Sequence, residues 1–154
     1  MCASPRFKPV GGIASVAVVP AGTAACGSAT GIEAAAVALP LAEWCSEYEE
    51  RVDSRNGTPY VEHLLRVVVP AEYAHDNLDA GLLRRWALSG TAAVIGTESG
   101  ERLLVGWSER MGSEQPLRLT AVEHLTGPSP RTIPATVLTF RCADASPAVR
   151  LSNL

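Results

Sequence analysis
Between Thr91 and Cys142 the chain presents short apolar segments with turn signals between them, and no second helical pattern interrupts the series. Residues 91–97, 102–108, 117–125 and 135–142 read as four successive strands, divided by Ser99-Gly100, by Met111-Gly112-Ser113 and by Gly127-Pro128-Ser129-Pro130. Such a series predicts an antiparallel meander, so the fold class expected is mainly β (α+β): an antiparallel β-sandwich or barrel. A scaffold of this kind supplies faces and edges for binding or assembly and no chemistry by itself.

Upstream of the series, residues 13–19 read as a first strand that leaves through Pro20-Ala21-Gly22. Residues 32–41 are alanine-rich and fit a buried strand or a helical turn, with Pro40 opposing a long helix, and the apolar region 22–41 as a whole fits a strand, a loop or an arm that folds on contact with a neighbour. Asn56-Gly57, between two extended segments, is the strongest hairpin signal in the chain, because both residues tolerate the positive φ of a tight turn. The second arm of that hairpin alternates, with Val61, His63, Leu65, Val67 and Val69 on one face and Tyr60, Glu62, Leu64, Arg66 and Val68 on the other. Apolar groups on both faces predict a central strand. The first arm and turn instead carry Glu47, Glu49, Glu50, Arg51, Asp53 and Arg55, a long charged hairpin aimed into water or at another subunit. Pro70 closes the second arm. Asp76 or Asn77 is then expected to cap one amphipathic helix with Leu78, Leu82, Leu83 and Trp86 on its apolar side, and Gly90 to end it.

The 154 residues, 47% of them hydrophobic, suffice for one core, since a domain of this size hides about 70% of the surface its unfolded chain exposes. One domain over residues 1–154 is expected, with 1–11 and 145–154 loosely held. Charged residues are 19%, below the roughly 25% usual in soluble proteins, which suits a surface partly covered by neighbouring subunits. The net charge is −3 and no run of Lys or Arg occurs, so direct nucleic-acid binding is not expected. No apolar run reaches the roughly 20 residues that cross a bilayer, and no membrane partner is expected.

Cys2, Cys26, Cys45 and Cys142 are widely spaced, without the CxxC pairs of a metal or redox site, and are read as reduced. Arg6, Lys8, the apolar residues 13–19 and Thr23-Ala24-Ala25-Cys26 loosely imitate a lipoprotein signal. Pro9, Gly11, Gly12, Pro20 and Gly22 interrupt it, and its apolar core is at the short limit, so the strand reading is preferred to export.

Motifs of catalysis are missing: no GxSxG elbow, Walker loop or GxGxxG is present. His63, His75 and His124 are not at helical zinc spacing, and His63 and His124 each adjoin a glutamate that points to the opposite face of its strand. The bland role of half-buried strand side chains fits both. Trp44, Trp86 and Trp107 are read as packing residues in preference to a sugar-stacking platform. No catalytic residue, cofactor or metal site is therefore expected, and the chain is read as non-enzymatic. The one candidate site is an assembly interface formed by Glu47, Glu49, Glu50, Arg51, Asp53, Arg55 and Tyr60, where mixed charges would set register more than strength.

The order of parts carries a resemblance. A Gly-Gly-Ile opening strand, a charged hairpin ending in the strand from His63 to Val69, and one helix come first. Gly90-Thr91-Ala92-Ala93-Val94-Ile95-Gly96-Thr97, Gly100-Glu101-Arg102-Leu103-Leu104-Val105-Gly106-Trp107-Ser108 and Glu114-Gln115-Pro116-Leu117-Arg118-Leu119 follow. Over residues 10–144 this resembles the small structural proteins of tailed phages and prophages, at the level of the tail or the head-to-tail connection. The resemblance implies a sheet sandwich flanked by a helix, partnered by copies of itself, as a homo-oligomer or ring, and by neighbouring virion proteins. It places the chain in the virion, or in the bacterial cytoplasm during assembly, and carries over no catalytic position. The competing class is a ligand-binding β-sandwich for carbohydrate or peptide, either secreted or lipid-anchored at Cys26.

Overall fold
A computed structural model describes residues 12–20, 36–42, 46–55, 57–107, 115–144 and 148–150. Cys2, Cys26, Cys45, Trp44 and Asn56 lie outside these residues, as do the side chain of Arg55, the expected turn at Met111-Gly112-Ser113 and residues 1–11. The chain forms β1 (Ile13–Pro20), β2 (Val37–Leu39), β3 (Glu47–Arg55), β4 (Thr58–Pro70), α1 (Ala71–Asn77), α2 (Ala80–Leu88), β5 (Thr91–Thr97), β6 (Arg102–Val105), β7 (Arg118–Leu125), β8 (Ala135–Asp144) and β9 (Val149–Arg150). It is mainly β, with two antiparallel sheets packed together. Sheet A has the order β2-β1-β5-β6-β9 and sheet B the order β3-β4-β8-β7.

The four segments after Thr91 are strands, but they do not make one meander. The β5–β6 hairpin belongs to sheet A and the β7–β8 hairpin to sheet B. The sheets are stitched where β5 begins: the Thr91 and Leu117 backbones exchange hydrogen bonds at 2.7 and 2.8 Å, and the Thr91 hydroxyl adds a third to the Leu117 carbonyl at 2.9 Å. Gly106 permits this seam. It turns the chain with φ +91°, and a Cβ there would stand 2.7 Å from the Thr91 carbonyl oxygen. That conformation also explains why β6 stops at Val105, short of residue 108.

β4 is central, between β3 and β8, and Gly57 takes φ +76° where Arg55 pairs with Thr58. Alternation holds along β4: Val61, His63, Leu65, Val67 and Val69 are buried against sheet A, while Glu62 and Arg66 face solvent. Val16, Val18, Ala93, Ile95 and Val105 meet this face from sheet A. Trp86 tilts onto Phe140 with ring centroids 5.8 Å apart, anchoring α2 over sheet B.

The expected single helix is two. Pro70, with ψ 138°, precedes α1, and Leu78 leaves helical geometry at its end (φ −104°, ψ 84°). Asp79, in place of Asp76 or Asn77, then caps α2 by accepting from the Leu82 amide at 2.7 Å. Gly90 follows α2 with φ +81°, as expected of the residue that ends a helix. Of residues 145–154, Val149–Arg150 is an edge strand paired to Leu104 and Leu103 of β6.

Candidate functional site: the outer face of sheet B
Register decides which hairpin charges reach solvent. Tyr48 lies opposite the buried Leu65 and Glu50 opposite the buried His63, so these two point inward. Glu47, Glu49, Arg51 and Asp53 therefore share the outer face, opposite Arg66, Leu64, Glu62 and Tyr60. Arg51 pairs with Glu49 at 3.6 Å on this arm, with both side chains more than half exposed, a geometry of little energetic weight. A shallow depression of about 380 Å³ runs over this face, lined by Glu49, Arg51, Tyr60, Glu62, Leu64 and Arg141.

One row across the sheet stands out. Glu49 pairs with Leu64, Leu64 with Arg141, and Arg141 with Arg118, so a line perpendicular to the strands reads acid, apolar, base, base from the β3 edge to the β7 edge. Like charges directly opposite one another destabilise a strand pair. Neither Arg118 nor Arg141 has a carboxylate within 4.0 Å among the described residues, nor does Arg66. Glu49 cannot serve Arg118, because three strand spacings of about 4.8 Å separate their backbones by roughly 14 Å. The pattern was invisible before register was known, since Arg118 and Arg141 are far apart in sequence.

Glu50 departs from the expected interface. Its carboxylate lies under the sheet, where Oε1 accepts the Ala148 amide at 2.7 Å and stands 3.6 Å from His63 Nδ1. The Tyr48 hydroxyl donates to Glu50 Oε1 at 3.4 Å and shares a hydrogen bond of 2.6 Å with His63 Nδ1. The two rings stack at 6.2 Å. Burial, reinforced by the Glu50 carboxylate and by Cys142, holds the Tyr48 phenol neutral far above the usual tyrosine range. Cys142 faces His63 from β8 and is not in a disulfide. His63, read from sequence as a half-buried strand residue, is 3% exposed and hydrogen-bonded. This cluster ties β3, β4 and the segment after β8 together.

The other histidines lie elsewhere. His124 bonds the buried Thr136 hydroxyl at 3.0 Å and, with His75, borders a cleft of about 420 Å³ between the two helices and β7–β8, floored by Leu78 and Leu138. His63 faces Cys142 and His124 faces Thr136, six residues apart on β8, or roughly 20 Å, so the two do not converge. Among the described residues no three His, Cys, Asp or Glu side chains are grouped to hold a metal ion. Trp86 lies in the main core and Trp107 in a separate cluster on sheet A, so these two line no common groove. No helix among the described residues is long and apolar enough to cross a membrane. No protein-family model, curated protein or solved structure matches the chain.

Proposed function
We propose that the chain is a non-enzymatic structural subunit that joins copies of itself head to tail through the edges of sheet B. In keeping with its resemblance to phage and prophage tail or connector proteins, it works in a virion or in the bacterial cytoplasm where one is built. The observation that carries this reading is the Glu49–Leu64–Arg141–Arg118 row, with its acid at the β3 edge and, toward the β7 edge, two bases that have no carboxylate within 4.0 Å among the described residues.

Polarity supports the same joint. Four strands in antiparallel alternation leave β3 and β7 running in opposite directions, so the β3 of one copy set beside the β7 of another pairs antiparallel and continues the sheet. A two-fold joint of β3 with β3 would leave the bases at the β7 edge without an acid from the other copy.

Light scattering across a concentration series tests the proposal. The expected result is a discrete oligomer that Glu49→Arg dissociates and that a mixture of Glu49→Arg with Arg118→Glu/Arg141→Glu restores. A monomer at every concentration, or an oligomer indifferent to both changes, overturns it.

A further inference from the structure
We propose that the cleft between the two helices and the β7–β8 hairpin binds a small aliphatic carboxylate, with the hydrocarbon buried and the carboxylate at the mouth. The inference goes beyond the sheet B joint, since it concerns the inner face of that sheet and different residues. At about 420 Å³ the cleft falls within the roughly 300–1,000 Å³ usual for small-molecule sites.

Its lining is graded from apolar to polar. On α1, Ala71, Ala74, His75 and Leu78 fall on one side at helical spacing. Facing them, the sheet presents two rungs of the β7–β8 ladder, Val122 with Leu138 and His124 with Thr136. Ala74, Leu78 and Leu138 are buried and form the floor, whereas His75 and His124 are exposed and stand at the opening. A ligand that suits both ends carries a hydrocarbon body and one polar head.

The head is specified by what the lining contains and what it lacks. Among the described residues no Asp, Glu, Lys or Arg lines the cleft. An anion therefore meets no repelling carboxylate, an ammonium head finds no acid to pair with, and a phosphate finds no guanidinium. The polar groups present are two imidazoles, which donate ring N–H groups, and the two oxygens of one carboxylate can accept from both. Hydrogen bonds to an ionised acceptor are the stronger ones, so a carboxylate is held better than a hydroxyl. His124 Nδ1 bonds the hydroxyl of the fully buried Thr136 at 3.0 Å, which fixes the ring against the wall of the cleft. Among the described residues the His124 ring has no other hydrogen bond and the His75 ring has none, so α1 and β7 each bring ring nitrogen to the same opening.

Titration of the intact chain with octanoate, followed by NMR at the histidine rings and by calorimetry, tests this, with octylamine and octan-1-ol as controls of equal chain length. The expected result is saturable movement of the His75 and His124 signals while His63, buried in its cluster with Tyr48, stays unmoved. Octanoate should bind about tenfold more tightly than either control, the worth of one charge-assisted hydrogen bond. His75→Leu/His124→Leu should erase that preference and keep octan-1-ol binding, and Leu83→Trp, at the wall of the cleft, should abolish binding of all three. If Leu83→Trp fails to fold, the histidine variant decides alone. No saturable binding of octanoate, or equal affinity for the three compounds, overturns the inference. An oligomer that dissociates with Glu49→Arg in a chain that does not bind octanoate leaves the sheet B proposal standing and removes this one.

Discussion

Gly106→Ala is expected to open the seam between the sheets, and Gly100→Ala supplies its internal control. Both glycines adopt nearly the same left-handed backbone, φ +91° and φ +92°, so both substitutions carry the same conformational cost of about 1–2 kcal/mol. Their surroundings differ. A Cβ at Gly100, in the β5–β6 turn, meets nothing within 4 Å. At Gly106 it would stand 2.7 Å from the Thr91 carbonyl oxygen and 3.0 Å from both the Cβ and the amide nitrogen of Leu117, the two residues whose exchanged hydrogen bonds join β5 to the start of β7. Relieving that crowding by moving buried backbone adds about 1–3 kcal/mol. The total for Gly106→Ala is then about 2–5 kcal/mol, a large part of the roughly 5–15 kcal/mol typical of a domain. Urea unfolding followed by tryptophan fluorescence measures both variants. With a slope of about 1–3 kcal/mol/M, the midpoint of Gly106→Ala should fall about 1 M further than that of Gly100→Ala. Amide exchange at Thr91 and Leu117 should accelerate in Gly106→Ala alone. Equal losses in the two variants would refute the reasoning, because the seam would then contribute nothing beyond the shared φ.

Other expectations follow from the same geometry. Asp79→Ala should destabilise by about 1 kcal/mol through loss of the Leu82 cap, while Asp79→Asn stays close to the wild type, as measured by thermal melts. Tyr48 keeps its proton in the fold while an unfolded tyrosine ionises near pH 10, so the folded chain binds more protons above that point and stability should decline as pH rises through and beyond about 10. Tyr48→Phe should flatten this alkaline decline in urea midpoints, while costing about 1 kcal/mol at neutral pH because the 2.6 Å hydrogen bond to His63 Nδ1 is lost. An unchanged alkaline slope would show that the phenol is not the group responsible.

Much of the architecture is written in local pattern. The run from Thr91 to Thr97, bounded by Gly90 and by Ser99-Gly100, is the strand expected, since both boundaries rest on backbone that only particular residues accept. The Asn56-Gly57 hairpin and the buried face of β4 were readable for the same reason. The helical region was not, because Ala74, Leu78 and Trp86 face the core on both sides of the break, and apolar spacing carries no mark of the turn at Leu78. In the candidate interface Glu50 looked like its neighbours Glu49 and Arg51, and only strand parity against His63 turns it inward.

Residue order alone therefore determined where β1, β4, β5, β7 and β8 run, which face of β4 is apolar, and that charge gathers on the first hairpin arm. These properties depend on backbone preference and on side-chain alternation within a few residues. Tertiary structure decided the rest: that consecutive hairpins part into different sheets, that Glu50 turns to the inner side of its strand and binds the Ala148 amide, and that Arg118 is set against Arg141 with no carboxylate within 4.0 Å among the described residues. Each of these is a pairing between residues distant along the chain. Such pairings are selected by how two sheets share one buried core, a quantity that no local segment contains.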